Sequence, residues 1–149
     1  MNNRQKEILT RFILVIVLTA VSVIGLLYLR VWINKSEAIK GMEIIGAEIL
    51  KYRQNQGRLP HESFVENVRV EIKIARIGKI KYRRIWINPD STPDTILAYY
   101  EQNFHSLLYG PGYVVLRLDG HVEWLDKETF EPLLRSQQSQ MEIELTNTD

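Results

Sequence analysis

Cysteine is absent from the 149 residues, which excludes disulfide bridges and thiolate metal sites within this chain. Enzyme motifs are absent as well, since no G-x-S-x-G, H-E-x-x-H or phosphate-binding glycine loop occurs. Neither sign of charge is in excess, because 19 Lys and Arg against 18 Asp and Glu give a formal net charge of +1. A dedicated nucleic-acid binder usually carries a larger positive charge. We therefore expect no enzyme, no cofactor and no small-molecule substrate, and nucleic acid is not the expected partner.

Charge is also absent from residues 12–29, FILVIVLTAVSVIGLLYL, and the apolar run continues past Arg30. A helix that crosses a bilayer needs roughly 17 to 25 such residues. The run is longer than the apolar region of a signal peptide, and no small-x-small cleavage pattern follows it. The sequence therefore predicts a retained transmembrane helix over residues 12–33, preceded by an N-terminal arm over residues 1–11, with the lipid bilayer as a partner.

Basic residues flank this span on both sides, at Arg4, Lys6 and Arg11 before it and at Arg30, Lys35 and Lys40 after it. The positive-inside rule is nearly balanced by these numbers. The short arm also carries the N-terminal amine, which favours a cytoplasmic N-terminus.

Apolar residues recur at steps of three and four after the span, which is typical of one helical face. They are Ile39, Met42, Ile45, Ile49 and Tyr52. Gly57 followed by Pro60 is a stop signal. We predict one helix from about residue 8 to about residue 56, whose soluble continuation covers residues 34–57.

The period then changes to two, because apolar Val68, Val70, Ile72 and Ile74 alternate with charged residues. This alternation predicts one or two strands, and TILAYYE predicts another. In YVVLRLDGHVEWL, a D-G pair between two alternating runs predicts a β-hairpin. The predicted fold is α+β, with the helix packed on a small antiparallel sheet in a head domain over residues 58–135. A flexible polar tail is predicted over residues 136–149.

Three stretches resemble the type IV pilin and type II secretion pseudopilin superfamily: AEILKYRQNQGRLP, TPDTILAYYE and YVVLRLDGHVEWL. The last two are similar to bacterial prepilin-type processing-associated proteins, which carry a His to Asp-Gly motif. The resemblance implies a pilin-like fold, a single-pass protein of the bacterial inner membrane, and an extracytoplasmic head domain. It also implies pilin-like subunits or secretion and assembly proteins as partners.

The prepilin peptidase site is missing from this pattern. Pilin precursors carry Gly followed by Phe-Thr-Leu-x-Glu before the apolar stretch, whereas this chain has RQKEILTRFILVI without a Gly. The sequence therefore does not predict cleavage or polymerisation.

The hairpin admits two interpretations. As a fold marker, Asp119 and Gly120 form the turn, and His121 and Glu123 lie on the solvated face. Val122, Trp124 and Leu125 are then expected to pack toward the helix. As a metal or acid/base site, His105 and His121 would act with nearby carboxylates in a membrane-tethered enzyme or metal-dependent binding domain. We favour the fold marker and predict no metal.

Basic residues are concentrated between residues 69 and 84, at Arg69, Lys73, Arg76, Lys79, Lys81, Arg83 and Arg84. They would form either an interaction surface for an acidic partner or the solvated face of an amphipathic strand. The second interpretation is favoured. The predicted function is a non-enzymatic, membrane-anchored structural or interaction protein.

Overall fold

The computed structural model describes residues 3–72, 77–88, 90–103 and 110–146. The chain divides into two compact units, residues 1–34 and residues 35–149. Helix α1, Asn3–Gln56, supplies all of the described part of the first unit and the start of the second. Gly57 follows the last residue of α1 and terminates the helix. It has a φ of 67° and donates its N–H to the Arg53 carbonyl at 2.8 Å. The prediction of one helix that ends before GRLP is confirmed.

The first unit is an apolar helical segment. An 18-residue window within it has a mean hydropathy of 2.8, and none of that window is buried. By length and composition the segment is a candidate membrane span. A signal sequence near an N-terminus meets the same criteria of length and composition.

The second unit contains a four-stranded sheet in the order β1-β2-β3-β4, with every neighbouring pair antiparallel. The strands are β1 Lys81–Tyr82, β2 Ile96–Gln102, β3 Gly112–Arg117 and β4 Val122–Asp126. The described residues of this unit also form three further α-helices: α2 Glu62–Glu71, α3 Lys127–Gln137 and α4 Gln140–Thr146. The predicted α+β class with a small antiparallel sheet is confirmed.

One face of the sheet packs on the part of α1 that lies in the second unit. Ala38, Met42, Ile45 and Ile49 are buried there against β2 and β3 residues that include Leu116. Gly46 permits this approach, because a Cβ at that position would lie 2.7 Å from Leu116 Cδ1. The periodic apolar face predicted for α1 is therefore the main contact between helix and sheet.

The other face of the sheet is covered by α3. Ile96, Tyr99, Val115 and Phe130 form a second buried cluster, to which Leu125 also packs. This second layer was not predicted. It explains why Ile96–Tyr100 are buried continuously rather than alternately, since β2 has a covered face on both sides. The prediction that Leu125 faces α1 is wrong, because alternation along β4 places it opposite Trp124.

The strand predicted around residues 68–74 is wrong for its described part. Residues 62–71 form α2, and residues 73–76 lie outside the described part of the chain. The cluster between α1 and the sheet, here called the first core, is contacted at helical spacing by Val65, Val68 and Ile72. Val70 is 63% exposed. The stretch contains both periods, and the helical one places three apolar side chains on the core.

The prediction of a flexible polar tail from residue 136 differs from the structure. The end of α3 and the whole of α4 lie there. The Ser139 hydroxyl accepts the N–H of Glu142 at 3.2 Å and so caps α4. The Glu142 side chain is buried in the domain.

Candidate functional site

The β3–β4 hairpin is the first sequence-predicted site. Arg117 N–H donates to the His121 carbonyl at 2.8 Å, and Gly120 N–H donates to the Arg117 carbonyl at 3.0 Å. Asp119 Oδ1 accepts the His121 N–H at 2.8 Å, and Gly120 has a φ of 93°. The Asp-Gly pair therefore shapes a three-residue loop between paired residues 117 and 121, as a short side-chain acceptor followed by glycine favours.

The face of β4 that carries Leu125 also carries an ion pair between Arg117 and Glu123. Arg117 donates through Nε to Glu123 Oε1 at 2.6 Å and through Nη1 to the Asp94 carbonyl at 2.8 Å. Glu123 thus ties β4 to β3, and Arg117 ties the hairpin to the loop before β2. His121 is exposed beside this pair.

The opposite face of β4 packs toward α1. Val122 belongs to the first core, and Trp124 packs against it. Lys35 Nζ lies 4.2 Å from the centroid of the Trp124 ring, in cation–π geometry. A side chain at Gly112 would overlap that ring. Sequence reasoning placed Val122 and Trp124 on this side, and the structure agrees.

The alternative metal site built on His105 and His121 stays a prediction, because only one of the two histidines lies in the described part of the chain. His105 lies outside the described residues. His61 Nδ1 accepts a hydrogen bond from Arg84 Nη1 at 2.8 Å, because a guanidinium group can only donate. Among residues 3–72, 77–88, 90–103 and 110–146, no group of three or more His, Asp or Glu side chains is placed to hold a metal ion.

The predicted basic surface is spread over several elements. Arg69 lies on α2, where it pairs with Glu66 and donates to the Ile77 carbonyl at 3.2 Å. The hydrogen bond between the Arg69 and Glu66 side chains lowers the pKa of Glu66 and raises the pKa of Arg69. Lys79 and Lys81 are exposed. Lys73 and Arg76 lie outside the described residues, so the structure does not place the whole run.

Arg83 does not belong to a surface. Its side chain is only 4% exposed, and it donates to Glu142 through Nε at 2.6 Å and through Nη2 at 2.9 Å. It also donates to the carbonyl oxygens of Ile96 at 2.8 Å and Gln137 at 2.9 Å. The Glu142 side chain is 3% exposed. One guanidinium group therefore joins β2, the end of α3 and α4.

Sequence reasoning missed this buried pair for a physical reason. The two residues are 59 positions apart, so no local spacing connects them. Arg83 stands in a row of exposed basic residues, and Glu142 stands in a segment whose composition resembles that of a polar tail. The one available signal was that Glu142 lies between Met141 and Ile143, in a segment with regular apolar residues.

A cavity of about 550 Å³ lies between α2 and the residues before β1. Arg69, Lys79 and Tyr82 line it together with Glu62 and Glu66. The Tyr82 hydroxyl is buried without a hydrogen-bond partner among the described residues, and burial raises its pKa. The walls are mixed in charge, so the cavity does not select one sign of ligand.

No family model, curated protein or solved structure matches this chain. The observations that bear on its function therefore come from its own geometry. That geometry comprises an exposed apolar helical segment, a second unit (residues 35–149, here called the head unit) with two cores, and a set of charged side chains that mainly tie elements together.

Proposed function

We propose that this chain is a non-enzymatic, membrane-anchored structural or interaction protein with a pilin-like or pseudopilin-like architecture. It would act within a type II secretion or type IV pilus-type assembly of the bacterial inner membrane. The observation that carries the proposal is the fully exposed apolar window in the first unit.

Exposed apolar area of this kind requires a cover. Large apolar side chains in the window are about half exposed or more. They include Ile13 at 52%, Leu14 at 59%, Ile16 at 53%, Leu18 at 58% and Val21 at 63%. Soluble monomers rarely expose contiguous apolar patches beyond a few hundred Å². Lipid is the cover that suits a helix apolar on every side, because its backbone hydrogen bonds are satisfied internally.

The apolar clusters of the head unit already have their partners within that unit. Its two clusters are filled by its own side chains, from α1, the sheet and α3. We propose that the N-terminal arm lies in the cytoplasm and the head unit outside it. The basic residues of the arm and its amine support this orientation.

The pilin-like part of the proposal is supported by three features in chain order. A long N-terminal helix packs its apolar face on an antiparallel sheet. The helix ends at a glycine with positive φ within GRLP. The last two strands form the DGHVEWL hairpin. Since the chain lacks the prepilin peptidase motif, we propose that it functions as an uncut anchored protein.

Membrane extraction and intact mass test the anchor. After an alkaline carbonate wash, the expressed full chain is expected to stay in the membrane fraction with the mass of the uncut protein. A Val21→Lys, Ile24→Lys variant should shift to the soluble fraction, because each buried lysine costs about 3 kcal/mol at the bilayer centre. A wild-type chain that is soluble and has lost its first residues would contradict the anchor.

Site-specific photo-crosslinking tests the interaction role. Ile44 is 47% exposed on α1 in the second unit and faces away from the sheet core. A photoreactive side chain there should give defined adducts in cells with a second copy or with another membrane protein, identified by mass spectrometry. Ser136 on α3 is a matched exposed control. Adducts that are equally diffuse at both positions would contradict a specific assembly contact.

A further inference from the structure

A second open cavity, of about 620 Å³, lies where α1 ends. Three arginines line it, each from a different part of the chain: Arg53 from the last turn of α1, Arg58 from the residues after it, and Arg84 from the 3-10 helix Arg84–Trp86. None of the described residues that line it carries a carboxylate. Three guanidinium groups therefore share one concave surface in a chain whose formal net charge is only +1.

An exposed isoleucine lies among these arginines. Ile85 is 77% exposed, the largest exposure of any large apolar side chain described in the structure. The 3-10 helix fixes its backbone, because Trp86 N–H donates to the Arg83 carbonyl at 2.9 Å and Ile87 N–H donates to the Arg84 carbonyl at 3.2 Å. Arg83 itself is held by the buried pair with Glu142. The apolar side chain is thus presented from a rigid base.

Arg84 is held in place as well. Its Nη1 donates to His61 Nδ1 at 2.8 Å, which leaves its other N–H groups for a ligand. Fixed donors lose less conformational entropy on binding than mobile ones. The remaining two arginines, Arg53 and Arg58, are exposed.

We propose that Arg53, Arg58, Arg84 and Ile85 form a docking surface, here called the arginine surface, for an acidic protein segment that carries an apolar side chain. Guanidinium groups bind carboxylates in bidentate geometry, and their number here matches several Glu or Asp side chains. Ile85, with Leu59 and Ile87 in the same cavity, offers the apolar contact that anchors peptide interfaces.

A protein segment fits this surface better than single-stranded nucleic acid does. Bases stack on aromatic rings in sites for single strands, and none of the described residues that line this cavity is aromatic. The exposed isoleucine would remain uncovered beside a phosphate backbone. The proposal names the kind of partner for the proposed function. It rests on one part of that function, namely that the chain is an interaction protein. Peptide binding does not depend on membrane insertion, so either idea can fail separately.

Fluorescence anisotropy of a labelled short Glu/Leu peptide tests the proposal, with the full chain in detergent micelles. The peptide should bind, and a Gln/Leu peptide of the same length should bind at least roughly tenfold more weakly, because charge-assisted hydrogen bonds are lost. Raising the salt concentration from about 0.05 M to about 0.5 M should weaken binding severalfold.

Variants locate the surface. R53Q/R58Q should weaken Glu/Leu binding by roughly tenfold, whereas R135Q, which removes an equally exposed charge on α3, should change it by less than about twofold. I85S should weaken Glu/Leu binding but leave the weaker binding of a Glu/Gly peptide unchanged. M141S is its control, since Met141 is 65% exposed on α4. All five substituted positions are exposed, so folding is expected to be preserved.

Three results would overturn the proposal. The first is equal binding of the Glu/Leu and Gln/Leu peptides. The second is an R53Q/R58Q variant that binds as well as R135Q. The third is single-stranded DNA that displaces the peptide at lower concentration than an unlabelled Glu/Leu peptide does, which would assign the surface to nucleic acid.

Discussion

Removal of the carboxylate from the Arg83–Glu142 pair should destabilise the protein and weaken the attachment of α4 to the rest of the domain. In Glu142→Gln the side chain keeps its size, but Arg83 loses its countercharge at a site where both side chains are less than 5% exposed. Removal of one partner from a buried ion pair typically costs about 3 to 5 kcal/mol. Arg83 keeps its bonds to the Ile96 and Gln137 carbonyl oxygens, and the amide still offers an acceptor. We therefore expect the low end, about 3 kcal/mol of unfolding free energy.

Urea unfolding of the full chain in detergent, followed by near-ultraviolet circular dichroism, measures this loss. Hydrogen exchange over residues 140–146 measures the release of α4. The control is Glu131→Gln, because the Lys127–Glu131 pair is also a salt bridge to a glutamate but is 53% and 45% exposed, and its loss should cost less than about 1 kcal/mol.

A double-mutant cycle with Arg83→Met isolates the pair energy. The double variant should be less destabilised than the sum of the single variants by at least about 2 kcal/mol, because no charge is left without its partner. If Glu142→Gln lowers the free energy of unfolding by less than about 1 kcal/mol and leaves hydrogen exchange in α4 unchanged, the buried Arg83–Glu142 pair does not hold α4 in place.

Three further predictions concern the core and the hairpin. Gly120→Ala should lower stability by about 1 to 2 kcal/mol in urea unfolding, because φ is 93° there, whereas Gly110→Ala, with open space around it, should have little effect; equal losses would contradict the account of the turn. Ile49→Ala, at a site 1% exposed, should cost about 2 to 5 kcal/mol, and Ile44→Ala, at 47%, less than about 1; similar costs would contradict the assigned face of α1. Burial raises the pKa of Tyr100, so above about pH 10 the unfolded state loses a proton that the folded state keeps. Tyr100 alone should then make stability fall with rising pH by up to about 1.4 kcal/mol per pH unit, and Tyr100→Phe should reduce the total slope by up to that amount; an unchanged slope in unfolding titrations would contradict it.

Local patterns were sufficient where one period dominated. The spacing of Met42, Ile45 and Ile49 indicated the buried face of α1, and the Asp-Gly pair between alternating runs indicated the hairpin. These signals are local, because each depends on residues within a few positions of one another. The same holds for Gly57 as the end of α1.

The rest depended on contacts between distant residues. Around Val68 the alternating and helical periods coincide, and tertiary packing of Val65 and Ile72 decides for the helix. The α3 layer was missed because an apolar run in β2 does not reveal that both faces are covered. Arg83 was assigned to the surface because its partner Glu142 lies 59 residues away. The arginine surface is likewise assembled from three segments that are separate in the sequence.

Membrane orientation is the most direct test of the central claim, and the absence of cysteine makes it clean. Single substitutions Gln5→Cys in the N-terminal arm and Ser63→Cys in the head unit each introduce the sole thiol of the chain. With a membrane-impermeant maleimide on bacterial cells whose outer barrier has been opened, the account predicts labelling of Ser63→Cys alone. Gln5→Cys should react only after the inner membrane is permeabilised. Equal labelling of both positions before permeabilisation would contradict an anchored protein with a cytoplasmic N-terminus.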